Sequence, residues 1–462
     1  MRNQVSRSHR GSGRRPRDSR PPHSSPLRST SAKNGGSPVR TFGERFPDGS
    51  SIELVRDSDS GELSLLYAHG SKDNIASRIR ARNCVFVPGE IDSSLLEATS
   101  LPRGREPHGS TDELFAATCD LFTTRGFSEA VACASAFLSF SSWRLEKLEI
   151  APCLAIAGPR AEAVLLFQVL KEIVRWPLRI GECNRGALCS VPHGWRPTIL
   201  LDHESERSDT ASLLATTSQR GSRLPWRGTF IDTFCAKAVY CGPAPALEDL
   251  GLGVIRISVD PIRGRVPILD SDTQRRISSD FQARFLDYRL ANQAVSNPPQ
   301  FDVPNASSHT RILGDIFRAS VVNGPKSAAR IEAFLRVEED QARMVRWQDP
   351  RCIVVEALLV LCRERRSGEA HIGEISKCAN AILHFRGVNS ELTPRQVGQI
   401  LRELGFRAKR DQRGFSLQLT EILHRQAQEL GRTFQVAAID ESEPPGVAAP
   451  QNETGTSTDG TK

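Results

Sequence analysis

An α/β fold is predicted: a parallel sheet with helices, a small β-rich module before it and a unit of helices and a hairpin after it. Three observations predict this. Residues 151–157 form a continuous apolar run of strand length, as in a strand buried on both faces. Strand–turn–helix units recur beyond it, with further apolar strands at 198–201, 239–241 and 254–259. Alternating segments near the N-terminus and amphipathic stripes near the C-terminus mark the two flanking units.

Taken in order, the chain opens on a basic segment. Residues 1–45 hold 11 Lys/Arg against 2 Asp/Glu, so the formal net charge of +7 belongs to this stretch and the remainder is close to neutral. A basic, Ser/Pro/Gly-rich segment cannot bury a core and is expected to be a disordered tail. It is able either to bind phosphate backbones without sequence preference or simply to solubilise the chain. The β-rich module follows at 46–100. Strands are predicted at 51–56 and 62–68 around the turn Asp57-Ser58-Asp59-Ser60-Gly61, with a third at 84–87.

A core unit is predicted over 110–300. Ser110 and Glu113 have capping-box spacing ahead of helices at 111–125 and 127–142. The 151–157 strand leads into a helix at 161–174. A helical connector is predicted over 301–349, after a Pro/Asn break at 297–305. Residues 350–432 form the last unit. Residues 437–462 are acidic and rich in Pro, Gly and Thr, and a second disordered tail is expected there.

Apolar runs are too short to span a bilayer, which takes about 20 residues, so no membrane partner is expected. The N-terminus lacks the apolar segment of a secretory signal. Eleven cysteines include no Cys-x-x-Cys pair, which fits reduced thiols in a cytoplasm. Cys183, Cys189 and His193 lie close in sequence without zinc-knuckle spacing, so small buried thiols and no metal are expected.

The chemistry-bearing motifs sit in the core. A phosphate-binding loop reads Gly-x-x-x-x-Gly-Lys-Ser/Thr between a strand and a helix; its backbone N–H groups wrap phosphates, its Lys reaches them and its hydroxyl holds magnesium. Here Gly158-Pro159-Arg160-Ala161-Glu162-Ala163-Val164-Leu165 stands in that place. Ala163, Val164 and Leu165 replace the second Gly, the Lys and the hydroxyl, and Glu162 adds a negative charge. Further on, Thr198-Ile199-Leu200-Leu201-Asp202 is an apolar strand ending in an acid that is able to hold magnesium through water. The residue after it is His203 rather than a water-orienting Glu, and Glu204 is displaced by one.

These motifs, with Gly109-Ser110-Thr111-Asp112-Glu113-Leu114-Phe115 before them and Trp195-Arg196-Pro197 between them, resemble the helicase- or primase-associated P-loop ATPases of phages and integrated elements, AAA-like in core. The resemblance covers roughly 48–432. It implies a P-loop NTPase-like sheet, a small β-rich N-terminal module, a pair of helices and a C-terminal winged helix. Departures from the family pattern run in one direction. Phe234-Cys235-Ala236-Lys237-Ala238 keeps a family segment, but Leu247-Glu248-Asp249-Leu250 lacks the Arg that would stabilise transferring phosphate. Gly158, Arg160 and Asp202 are therefore the vestigial nucleotide-binding residues; no catalytic residue, metal, ATP or magnesium cofactor is assigned.

The last unit keeps its pattern. Helices are predicted at 353–364 and 372–383. Thr393 caps a third helix with Pro394 at its first position. Val397, Ile400, Leu401 and Leu404 form its apolar stripe, with Arg395, Gln396, Gln399 and Arg402 on the other face. Arg407, Lys409, Arg410 and Arg413 belong to the hairpin that follows. Helix, helix, polar helix and basic hairpin make a winged helix-turn-helix, in which Arg and Gln are able to read base edges and the hairpin to neutralise phosphates. The sequence thus predicts a catalytically degenerate P-loop protein, a DNA-binding or replication-associated accessory factor of a mobile element. DNA is the expected partner, with an intact ATPase or a second copy of the chain as a further one. Two rival readings are a weakly active ATPase or helicase, and a transcriptional regulator that uses the core as a scaffold.

Overall fold

The computed structural model describes residues 37–57, 60–70, 72–181, 184–192, 194–202, 208–242, 250–264, 266–295, 306–365, 367–412, 414–434 and 436. Most of both predicted tails, Cys183, His193, His203, Glu204, residues 247–249, the 297–305 break and Arg413 lie outside them.

Strands begin before the predicted boundary at 46. β1 (Val39–Thr41) and β2 (Gly43–Arg45) open the chain, followed by β3 (Ser51–Arg56), β4 (Leu63–His69), β5 (Lys72–Ala76), β6 (Ile79–Ala81) and β7 (Cys84–Pro88). They form an antiparallel sheet of order β2-β3-β4-β5 and a smaller one of order β1-β7-β6. The short helix α1 (Ser93–Ala98) closes the module. β3 does not alternate between core and solvent, because both of its faces are covered. Ile52 and Leu54 join one apolar cluster, Val55 joins the main core, and Glu53 enters a buried ion network. That network fixes the module to the core: Glu53 pairs with Arg175 at 2.9 Å and with Arg289 at 2.7 Å, and Arg289 also reaches Glu146 at 2.5 Å.

α2 (Thr111–Thr123) and α3 (Glu129–Trp143) come next. Ser110 and Glu113 close the predicted capping box around the first turn of α2. The central sheet contains β8 (Cys153–Ala157), β9 (Pro177–Ile180), β10 (Thr198–Leu201), and, beyond a two-stranded hairpin of β11 (Arg223–Trp226) and β12 (Thr229–Asp232), β13 (Lys237–Tyr240) and β14 (Val254–Ser258). Its order is β14-β8-β13-β10-β9 and every pairing is parallel, a five-stranded sheet consistent with a P-loop NTPase-like fold. Between its strands lie α4 (Arg160–Ile173), α5 (Arg185–Ser190) and α6 (Ser208–Thr216).

α7 (Ser271–Ala291), α8 (Ser308–Ser320) and α9 (Pro325–Gln348) follow the sheet. The stretch expected to be a connector is built into the main core instead. Leu313, Ile316 and Phe317 of α8 and Ile331 and Leu335 of α9 are buried in one cluster with α3 and the sheet. The reason is amphipathicity: their apolar residues recur at helical spacing and need a partner face.

The C-terminal unit has its own core. It runs α10 (Pro350–Glu364), β15 (Glu369–His371), α11 (Ile372–Phe385), α12 (Pro394–Glu403), β16 (Lys409–Asp411), β17 (Gly414–Gln418) and α13 (Glu421–Thr433). The three strands form a small antiparallel sheet of order β15-β17-β16. No helix is long and apolar enough to cross a membrane among the described residues.

Candidate functional site

Ligands of open α/β sheets bind at the carboxyl ends of the strands, where the strand order reverses. β8, β13 and β10 bring Gly158, Tyr240 and Asp202 to that edge. The first finding there concerns chain length. α4 starts at Arg160, so only Gly158 and Pro159 join strand to helix, and no loop remains to wrap a phosphate. Ala163 and Leu165, which occupy the positions of the second glycine and the hydroxyl, are fully buried helical residues.

Gly158 has a packing reason to be glycine. Its φ is +128°, and a Cβ would lie 2.3 Å from the carbonyl oxygen of Val259, just past the end of β14. Its backbone is also used up: its N–H donates to the Gly242 carbonyl at 3.2 Å, and its carbonyl accepts from the Tyr240 hydroxyl at 2.9 Å. Glu162 does not face a phosphate position, as the sequence suggested. It is buried, and its Oε1 accepts from the backbone N–H of Ile262 at 3.1 Å.

Arg160 and Asp202 are brought together, against one another. Arg160 Nη1 lies 2.6 Å from Asp202 Oδ1, and its Nη2 donates to the Asp202 carbonyl at 2.9 Å. The guanidinium also stacks over the Tyr240 ring at 4.9 Å. From β9, Arg179 Nε donates to Asp202 Oδ2 at 2.9 Å and its Nη2 pairs with the same oxygen. The acid expected to hold magnesium is therefore spanned by two guanidiniums. The sequence reading missed Arg179 and Tyr240. Arg179 lies in a four-residue strand too short to show periodicity, and its register opposite Leu200 is what carries it to Asp202. Nearby, burial pushes the Cys153 thiol up to about 11 and the Cys241 thiol up to about 12, so both are protonated near neutrality. No cluster of three or more His, Cys, Asp or Glu side chains with metal-holding geometry occurs among the described residues.

The second candidate surface is α12 with the β16–β17 hairpin. Thr393 caps α12, and Val397 and Leu401 are buried beneath it, with Ile400 and Leu404 half-buried against the same core. Arg395, Gln396, Gln399, Arg402, Arg407, Lys409 and Arg410 are all exposed. Two of them have local duties. Gln396 completes the capping box, its Oε1 accepting from the Thr393 N–H at 2.9 Å, and Gln399 donates to Glu403 at 2.9 Å. The five cations, Arg395, Arg402, Arg407, Lys409 and Arg410, make no ion pair with any described residue. Phe415 adds a half-exposed ring opposite Arg410 in the hairpin register, a residue the sequence reading treated only as strand.

Neither a protein-family model nor a curated protein matches the chain. Among solved structures, it is similar to the apo A form of the NrS-1 C-terminal region, at 10% identity and a TM-score of 0.33 over 79% of this chain and 96% of that one. It is also similar to a full-length MCM homolog from Methanopyrus kandleri, at 12% identity and 0.31 over 63% and 76%. A third similarity is to Drosophila ORC bound to DNA, at 12% identity and 0.16 over 65% and 85%. Each of these likenesses is weak.

Proposed function

We propose that this chain is a DNA-binding accessory factor whose P-loop-like core is a scaffold rather than an ATPase. The observation that carries the proposal is a contrast in the use of arginine. At the sheet edge, Arg160 and Arg179 are spent on Asp202, whereas five cations on α12 and the hairpin have no ionic partner among the described residues. Unpaired cations on an exposed helix and an adjoining hairpin suit a winged helix-turn-helix in which the helix enters the major groove and the hairpin lies on the phosphates. A replication-associated role in a mobile element is the biological setting that the sequence resemblance implies, and an intact ATPase partner would supply the missing hydrolysis.

Hydrolysis is unsupported on physical grounds. A two-residue link offers no nest of N–H groups, no lysine stands at the loop, and the acid of the strand is neutralised by two arginines. The test has two arms. Gel shifts with duplex and single-stranded DNA compare the full chain with an Arg395→Ala/Arg402→Ala variant and with a deletion of residues 1–36. Binding lost in the double variant supports the helix as the DNA surface; binding lost only with the tail overturns it. In the second arm, nucleotide turnover is measured on the purified chain, and turnover abolished by Asp202→Ala would sink the scaffold reading in favour of a weak ATPase.

A further inference from the structure

A second, separate cleft lies at the far end of α4. Lys171 is eleven residues past Arg160, about 16 Å along the helix from the sheet edge. The cleft is bounded by the end of β3, the segment after α1, the last turn of α4 and the first half of α7, and its volume is about 510 Å³. That is within the size of ordinary ligand sites, roughly 300–1,000 Å³.

Its lining is cationic. Arg56, Arg103, Lys171 and Arg276 set four positive charges against Glu97 and Glu172, and the charge of Arg275 is met by Asp272. Arg275 and Arg276 are held along α7 by Asp272 at 2.7 Å and Thr273 at 3.2 Å, and Arg56 by the Gly61 carbonyl at 2.9 Å. Arg103 and Lys171 make no ion pair with any described residue. Glu172 is buried and accepts from Ser100 at 2.9 Å, and burial pushes its carboxyl up.

Ser100, Ser271, Ser278 and Ser279 add hydroxyls to the lining. Among the described residues no aromatic side chain lines the cleft to stack a base.

From the cation excess, the hydroxyls and the absent stacking face, we infer that this cleft binds the phosphate groups of a ligand carrying two or more phosphates. A free polyphosphate tail and a nucleic-acid backbone share this chemistry. The site does not rest on the proposed DNA surface of α12, which lies in a unit with a separate core.

Calorimetry on the full chain, with tripolyphosphate and with an oligothymidylate as probes, tests the inference. Arg103→Glu/Arg276→Glu, both exposed positions, should weaken tripolyphosphate binding at least tenfold with the melting temperature kept. Oligothymidylate that competes with tripolyphosphate, in a chain carrying Arg395→Ala/Arg402→Ala, assigns the site to a nucleic-acid backbone; tripolyphosphate binding without such competition assigns it to a soluble phosphorylated ligand. Binding of neither probe, or binding undiminished by the charge reversal, overturns the inference. Loss of DNA binding in the α12 variant with tripolyphosphate binding intact separates the failure of one reading from that of the other.

Discussion

The carboxyl edge of the central sheet and the outer face of α12 are both rich in arginine, and they use it in opposite ways. At the sheet edge each guanidinium has an acid within ion-pair distance, and the acid is itself almost buried. On α12 and its hairpin the cations stand exposed, with no ion pair to any described residue. The difference teaches how to tell a structural arginine from a binding one: the first lowers the cost of a buried charge, the second keeps its charge available. Paired core arginines extend well beyond the edge, to Arg175 and Arg289 on Glu53 and Arg105 on Asp287.

The largest expected effect lies in the buried network. Glu53→Ala would leave Arg175 uncompensated in the interior and strip Arg289 of one of its two acids. A loss of about 3–5 kcal/mol is expected, read as a lower denaturation midpoint. A loss below about 1 kcal/mol would mean that these arginines are not structural in the sense argued here. By contrast, Arg395→Ala/Arg402→Ala should leave the denaturation midpoint within about 0.5 kcal/mol of the parent, because exposed unpaired side chains are removed. The same variant should lose about 1–3 kcal/mol of DNA affinity per arginine, measured by anisotropy at fixed salt, with a shallower salt dependence. Equal losses of stability and affinity would erase the distinction.

Between these extremes is the edge itself. Arg160→Ala/Arg179→Ala would leave Asp202 nearly buried and unpaired, and should cost roughly 1–2 kcal/mol, tempered by the exposure of the arginines. Addition of ATP and magnesium should not raise its melting temperature, because the two-residue link still offers no phosphate cradle. A clear rise would show that the two arginines gate a competent site, and the scaffold reading would fall.

How much of this was legible beforehand follows from what each feature depends on. Continuous apolar runs and capping signals are local, so β8, β10, α2 and α12 are visible in sequence close to their observed bounds. The neighbour β9 is not: Pro177-Leu178-Arg179-Ile180 is four residues long and gains its identity only from pairing with β10. The loss of the phosphate loop was legible as missing residue types, but the shortness of the link was not, because helix α4 starts inside the stretch that a loop would occupy. The Arg160–Asp202–Arg179 bridge joins residues 42 and 23 positions apart, and no spacing rule reports such pairings. The C-terminal face was legible because exposure follows directly from helical periodicity.

Acid offers a milder way to sharpen the contrast. Burial pushes the Asp287 carboxyl up, but hydrogen bonds from His108 and the Arg105 charge outweigh it and hold the group at about 2. A carboxyl depressed in the folded state contributes stability above its unfolded value near 3.8 and loses it as pH falls toward 2. Stability between pH 4 and 2 should therefore fall by about 1–2 kcal/mol more in the parent than in Asp287→Asn, by denaturant titration at each pH. Identical slopes would mean that the Asp287 cluster is not coupled to folding.

The smallest effect bears on the one α12 residue whose role is divided. Gln396 is exposed on the face assigned to DNA, yet its Oε1 accepts from the Thr393 N–H at 2.9 Å and from the Thr393 hydroxyl at 2.7 Å. A side chain fixed in a capping box cannot also swing into a groove without breaking the cap. Gln396→Ala should therefore cost the C-terminal unit about 0.5 kcal/mol, at the low end of capping effects, and change DNA affinity by less than about twofold. Gln399→Ala is the matched control, since its bond to Glu403 closes no cap. If Gln396→Ala instead weakens DNA binding about tenfold with stability unchanged, the cap opens in the complex, and Gln396 sides with the unpaired cations rather than with the residues that hold the fold.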